Sequence, residues 1–313
     1  MIFDRKMLAA LALIFLLGLF AFPSPGAAQN RGQYLPGTNG LNSGVMPDPG
    51  LTYSNLFTWW SADTLKGPQG QDVATSGSAN LYVDQNLVMY TTKRTFFGAH
   101  FMSVWDFTLA NGSLTAPIFE QAGVKVGGEG VGDMYFQPAT LGWHLNRADI
   151  LVGYGFFAPT GRYVPGSTTN IGSGYWGNAP SAGITFYLTK NKRTQLSVYQ
   201  IYEFHTQTRG SNVTPGQTYT MEWGFGQVLP LAKDMSKILQ LGVIGYVQAQ
   251  TTNDSGSTDP NVGDHYRVYA IGPQVTFIVP KRKFNVLFRY EPEFSAQKRA
   301  QGNTLVISAA YTF

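Results

Sequence analysis

From Leu51 onward the chain alternates: over many stretches an apolar or aromatic side chain stands at every second position. Phe284, Val286, Phe288 and Tyr290 interleave with Lys283, Asn285, Arg289 and Glu291. Leu239, Leu241, Val243 and Val247 interleave with Gln240, Tyr246, Gln248 and Gln250. Leu305, Ile307, Ala309, Tyr311 and Phe313 interleave with Thr304, Val306, Ser308 and Thr312. A period of two sends successive side chains to opposite faces of a strand, so one face is oily and the other polar or small. Twelve such strands are predicted, near 51–60, 80–92, 96–110, 132–145, 148–160, 177–189, 194–207, 217–229, 237–252, 265–279, 283–295 and 303–313; the first two alternate poorly. Several exceed the usual ~5–6 residues and suit the ~9–11 that cross a bilayer at a tilt.

The predicted connections alternate too. Short ones fall around Lys93-Arg94, Asn146-Arg147, Asn191-Lys192, Ala232-Lys233-Asp234 and Lys281-Arg282. Long ones, rich in Gly, Ser, Pro and Asn, span 61–79, 111–131 and 161–176; those after strands 7, 9 and 11 are intermediate. Short periplasmic turns alternating with longer external loops characterise bacterial outer-membrane barrels. The fold class expected is all-β: a transmembrane antiparallel up-and-down β-barrel of about twelve strands over 51–313. Even parity puts both its ends on the short-turn side. A soluble sandwich is the alternative. It would expose Phe101, Trp105, Phe107, Trp223, Phe225, Phe277 and Phe288 to water, a cost that lipid removes. Phe313, with Tyr311 two positions before it, resembles the assembly signal of such barrels. The expected partners are therefore outer-membrane lipids and, through Phe313, the barrel-assembly machinery.

Residues 1–28 read as a secretory signal, with a single-span anchor as the alternative. Arg5 and Lys6 precede an apolar run from Met7 to Phe22, which breaks at Pro23 and Pro25 before the small residues Gly26, Ala27 and Ala28. Cleavage near Ala28 would deliver the protein to the outer membrane of a Gram-negative bacterium. Residues 29–50 carry Gly, Pro and Asn with no apolar period and form an irregular N-terminal arm. The arm is too polar for lipid. It either hangs in the periplasm or folds into the lumen as a plug, where Tyr34, Leu35 and Met46 would meet a hydrophobic solute.

Composition narrows the field. The 313 residues include 44 aromatics and 36 Gly but no Cys, and only 13% are charged. Ample apolar side chains exclude disorder, and the lack of Cys excludes a disulfide scaffold or Cys-ligated metal. A mean hydropathy of −0.10 with one long apolar run excludes a helical membrane bundle. The net charge of +4 is too small to suggest a nucleic-acid partner. Eleven of the 20 basic residues beyond the leader sit at the short turns, where they suit anionic lipid head groups.

A family resemblance covers nearly the whole chain after the leader. It rests on Gly37 to Gly50 followed by Leu51-Thr52-Tyr53, on Gly132-Asp133 with Pro138, and on Leu141-Gly142-Trp143-His144. It continues through Phe157-Ala158-Pro159-Thr160-Gly161-Arg162-Tyr163, Gly174-Tyr175-Trp176, Tyr219-Thr220-Met221-Glu222-Trp223 and Ile271-Gly272-Pro273-Gln274-Val275. In this order the blocks resemble the outer-membrane transporter-like family named for the phenol meta-cleavage degradation pathway (MetA-type). The resemblance implies a channel or transporter for uptake of hydrophobic, aromatic small molecules. It implies no catalytic residue and no cofactor.

The face assignment turns Glu203, His205, Glu222, Tyr246, Gln250, Arg267, Arg289 and Glu291 toward the lumen, as candidate pore-lining or ligand residues. Folding strands 7 and 8 about a loop centred near Ser211–Asn212 sets Glu203 opposite Glu222, within about one pairing step. The same construction sets Gln250 opposite Arg267 and Gln274 opposite Arg289. Paired carboxylates could stiffen a hydrogen-bonded wall, set charge selectivity, or act as acid and base. His100, His144, His205 and His265 fall on four different strands, with no metal-binding spacing, and no GxSxG elbow is present. Pro138, Pro159 and Pro273 in strand segments mark a local bulge or a side opening, or, at Pro159, the end of the strand. Two rival functions stand beside the channel: a barrel-embedded lipid hydrolase or acyltransferase, and a structural or adhesion barrel.

Overall fold

Strands form where the alternation predicts them. A computed structural model describes residues 32–313 apart from Thr75 and Ala122; the predicted leader and residues 29–31 of the arm lie outside the described residues. Twelve long strands run in order: β1 (Gly50–Lys66), β3 (Ser78–Phe96), β4 (Ala99–Thr115), β6 (Met134–His144), β7 (Ala148–Ala158), β8 (Gly177–Tyr187), β9 (Thr194–His205), β10 (Thr218–Pro230), β11 (Ile238–Gln250), β12 (Arg267–Val279), β13 (Phe284–Gln297) and β14 (Arg299–Thr312). Two short ones, β2 (Asp72–Ala74) and β5 (Glu129–Val131), a five-residue α-helix, α1 (Pro117–Gln121), and a single 3-10 turn (Pro280–Arg282) sit in the connections of the described residues.

Each long strand pairs antiparallel with its neighbours, and β14 pairs with β1 from Thr52↔Thr312 to Lys66↔Arg299. The closing seam leaves no sheet edge, the condition for irregularity-free passage through hydrocarbon, where an unpaired N–H or C=O has no water to turn to. The protein is thus a transmembrane β-barrel. At the seam Phe57, Ile307 and Phe288 lie side by side on the outside, while Thr58 and Val306 are buried inside.

The structure corrects several boundaries. The turn expected at Lys93-Arg94 lies at Phe97-Gly98, with φ of 50° and 76°, and Phe96 pairs with Ala99. A two-residue hairpin turn with positive φ at both centres favours glycine, which Gly98 supplies and Lys93-Arg94 does not. The first two long loops are shorter than expected because β1 runs to Lys66 and β4 to Thr115. The connection after the eleventh long strand, expected to be intermediate, shrinks to Lys298 alone. Pro138 sits at a bulge: β6 slips register between Phe136 and Ala139 against β7, and Ser103 donates to the Pro138 carbonyl at 2.8 Å. Pro159 follows the end of β7, and Pro273 keeps its register opposite Val243. At the short turns Lys281 reaches Asp234 at 2.8 Å and holds that carboxyl down to about 2.

The seam gives a direct test. Arg in place of Ile307, 46% exposed on the outer face, should lower stability in lipid vesicles by about 2–4 kcal/mol, the cost of a basic residue on the lipid face near mid-membrane. Ile307→Val should cost far less. Denaturant titration after refolding into vesicles reads both, and an unmoved midpoint for Ile307→Arg would contradict the lipid-facing assignment.

Candidate functional site

The arm has no regular structure between Gln33 and Pro49, so its backbone N–H groups need acceptors from outside the segment. Inward-facing residues of β8 to β13 supply them. Glu203 accepts from the amides of Gln33 (2.6 Å) and Tyr34 (3.1 Å). Glu222 accepts from the amides of Gly37 (2.9 Å) and Asn39 (2.6 Å) and from the Tyr34 hydroxyl (2.9 Å). Gln274 accepts from the Leu41 amide at 3.2 Å, Ser197 from Asn42 at 3.0 Å and Thr185 from Gly44 at 3.0 Å. In the reverse sense, Arg289 donates through Nη1 to the carbonyls of Gly37 (2.6 Å) and Thr38 (2.7 Å), and Gln248 donates to that of Tyr34 (3.0 Å). The arm therefore lies inside the barrel, against one half of its wall.

Packing fixes it further. Leu41 projects between Gly224, Gly226 and Gly242; a Cβ at any of the three would come within 2.9 Å of a Leu41 methyl. Asn42 adopts φ of 65°, a left-handed conformation that Asn tolerates, and exchanges hydrogen bonds with Gln240 while accepting from Gln195. Burial lifts the Tyr34 hydroxyl well above its ordinary pKa, helped by the Glu222 charge, so it remains a donor.

The predicted site residues divide into three groups. Glu203, Glu222 and Arg289 grip the arm directly, and Glu291 is buried beside Gly37. Tyr246 is lumenal but bonds to Glu293 at 2.9 Å, which Arg299 also engages at 2.9 Å. His205 lies 3.6 Å from Glu203, under the Tyr175 ring, with Nδ1 2.8 Å from the Gly216 carbonyl. Gln250 bonds to Asp254 in the following loop at 2.8 Å. Arg267 is a correction: it is exposed on the outer face over Tyr269, because Ala249 rather than Gln250 stands opposite it. The Glu203–Glu222 pairing is also corrected. Thr218 faces Glu203 and Tyr199 faces Glu222, so the two carboxylates stand four positions apart on the same face. The pairing is centred between Gly210 and Ser211, one residue earlier than the sequence suggested. Gln274 does face Arg289, with a 3.0 Å hydrogen bond. His144 bonds to Asp149 at 3.0 Å, and Asp149 accepts from Tyr187; among the described residues neither His144 nor His205 is joined to a serine hydroxyl.

The other half of the lumen is different. A chamber of about 450 Å³ lies between the arm and β3, β4, β6 and β7. Its walls include Val83, Leu87, Met89, Met102, Val104 and Leu151, with Tyr135 and Phe157 in contact at 4.6 Å. Leu35 lines it from the arm side, and Met46 packs behind it against Met102 and Val104. Polar groups are interspersed on this side: Asp106 accepts from Gln85 at 2.6 Å, and Ser54, Thr108, Gln137, Thr140 and Ser308 also line the chamber. The expectation of a hydrophilic lumen thus holds only in part for this half, whose largest side chains are apolar. Sequence reasoning missed Gln85, Asp106 and the glycine seat of Leu41. The poor alternation of β3, where Val83, Leu87 and Met89 turn inward, was the available signal.

A family model described as "Putative MetA-pathway of phenol degradation" matches residues 62–309. Among solved structures the chain is similar to an outer membrane channel from Pseudomonas putida F1, at 14% identity and a TM-score of 0.68, covering 90% of this chain and 100% of that one. It is also similar to the β domain of the Bordetella autotransporter BrkA, at 12% identity and a TM-score of 0.50, covering 85% of this chain and 100% of that one. At these identities the likeness shows the fold. A search of curated proteins gave no match.

Glu222→Gln should free the arm's amides. It removes a charged acceptor, worth about 1.5–3 kcal/mol per hydrogen bond against about 0.5–1.5 for a neutral one, so exchange at Gly37 and Asn39 should quicken by about tenfold. Hydrogen–deuterium exchange in lipid nanodiscs reads this. Unchanged protection at both amides, with the barrel intact, would contradict the grip.

Proposed function

This chain belongs to the family described as the putative MetA-pathway of phenol degradation, and on that basis we propose that it is an outer-membrane channel for hydrophobic, chiefly aromatic, small molecules bound for degradation. The observation that carries this reading is the division of the lumen. The polar half is filled by the arm, whose backbone amides and carbonyls are bound by side chains of the wall. The apolar half remains as a chamber large enough for a small aromatic ring. Pockets lined mainly by apolar and aromatic side chains with a few placed polar groups are the usual form of small-molecule sites. Val83, Leu87, Met102 and Leu151 would offer a route through the barrel that a benzene ring prefers to water and an ion does not.

In this reading the arm is a plug for water and ions, and the buried carboxylates and Arg289 serve as its anchor rather than as a selectivity ring. The solute would meet Leu35 on the arm and the methionines of β3 and β4. Thioether side chains adapt to rings of differing shape, which suits a class of related compounds better than a single one.

Two variants test the proposal in proteoliposomes and planar bilayers. Deleting 30–48 should raise ionic conductance several-fold, by opening the polar half. Met102→Arg, which places a charge in the chamber, should cut toluene influx by at least tenfold while leaving ionic conductance low. Toluene influx unaffected by Met102→Arg would overturn the chamber as the route, and unchanged conductance on deletion would overturn the plug.

A further inference from the structure

The outer face of β1 and β3 gathers a carboxylate and two carboxamides in one strip, where β9 shows a single carboxamide, Gln200, held by the Tyr219 hydroxyl at 2.8 Å. Strand pairing places Tyr53, Asn55, Phe57 and Trp59 outward on β1, beside Val88, Asn86, Asp84 and Tyr82 on β3. A carboxylate and two carboxamides therefore stand on the lipid side, where the neighbouring seam shows Ile307 and the next strand shows Phe107 and Leu109. Asp84 and Asn86 lie between Tyr82 and Tyr90, the aromatic positions that bracket this strand. At about 2.5 Å of depth per tilted residue, Asn86 is about 10 Å from each tyrosine and Asp84 about 5 Å below Tyr82. Polar and ionisable groups at such depth are costly against lipid and are held where something pairs with them.

The strip is partly paired within the chain. Asn55 donates to Asp84 at 2.5 Å, and Tyr53 donates to the Asn86 carbonyl oxygen at 2.6 Å. Two groups are left over among the described residues: Asp84 Oδ2 accepts no hydrogen bond, and Asn86 Nδ2 donates none. One is an acceptor and the other a donor, and they stand two residues apart on one strand. Lipid phosphates do not suit this strip, because its charge is negative and it lies below the head groups.

We propose that the β1–β3 face is a contact between two copies of this chain. Both copies cross the membrane the same way up, so a twofold axis relating them runs along the membrane normal and brings residues of equal depth together. A polar strip confined to one depth then meets its own counterpart. An isologous contact beside β3 sets the 84–86 stretch against its counterpart, and the ~5 Å of depth between the two residues is within side-chain reach, so that Asn86 Nδ2 of each copy donates to Asp84 Oδ2 of the other. Within a bilayer, association is driven by packing and by such side-chain hydrogen bonds rather than by the hydrophobic effect. The flat pair of Trp59 and Tyr82, stacked at 6.1 Å with planes 5° apart, supplies the packing surface beside the strip.

The chain has no Cys, so a single introduced thiol reports the contact cleanly. Val88→Cys, outward on β3, should give a disulfide- or short-linker-joined dimer in native membranes, whereas Met221→Cys, outward on β10, should not. Adding Asp84→Leu and Asn86→Leu to Val88→Cys should reduce the dimer at least fivefold while the folded, heat-modifiable monomer persists on gels. The monomer is expected to persist because both changes make the lipid face more apolar. A cross-link at Met221 as strong as at Val88, no cross-link at Val88, or a yield unmoved by the two leucines would each overturn the proposal.

Discussion

Six carboxylates and two guanidinium groups are buried among the described residues of this barrel: Asp106, Asp149, Glu203, Glu222, Glu291, Glu293, Arg289 and Arg299. A charge withdrawn from water has to be matched by hydrogen bonds or by opposite charge, or folding stops short of burying it. Arg299 answers Glu293 directly, but Glu203 and Glu222 take their hydrogen bonds from an irregular segment with backbone donors of its own to place. Each side solves the other's difficulty. The wall gives the arm acceptors without requiring it to form a helix or strand, and the arm gives the wall donors without admitting water.

That exchange accounts for the asymmetry of the lumen. The arm is drawn to the polar strands β8 to β13 and away from β3, β4, β6 and β7, whose inward side chains have little to offer its amides. Space is left on the side that the arm does not need. The result is a barrel with a polar half closed by its own chain and an apolar half that water gains little by filling. The same inversion appears on the other side of the wall: β3 sends Val83 and Leu87 inward and Asp84 and Asn86 outward, against the usual polarity of a membrane strand.

Much of the barrel was legible in the sequence because period-two alternation and the lengths of the connections are local properties. The segments ending in Tyr290 and Phe313 carry both in full. Register was less legible. A misplacement of one residue in a loop centre moves a cross-strand partner by two, and added to the pairing step already allowed between Glu203 and Glu222 it sets Glu203 against Thr218. A slip of one sends a side chain to the opposite face, as with Arg267. The Gln274–Arg289 pair was found because the turn at Pro280–Arg282 is short and leaves little freedom. The chamber was not legible, since it arises from inward apolar residues on strands remote in sequence from the arm. The weak alternation of β3 marked the place without saying what occupied it.

If the chamber is the route, hydrophobic solutes reside in the apolar half of the lumen, beside the arm and not in place of it. Crystals of the detergent-purified protein soaked in bromobenzene, measured at the bromine absorption edge, locate the solute without assumption. The account predicts an anomalous peak between Met102 and Leu151 with the arm still bonded to Glu222 and Arg289. Bromine found only on the lipid face, or lodged in the polar half with the arm displaced, would contradict it.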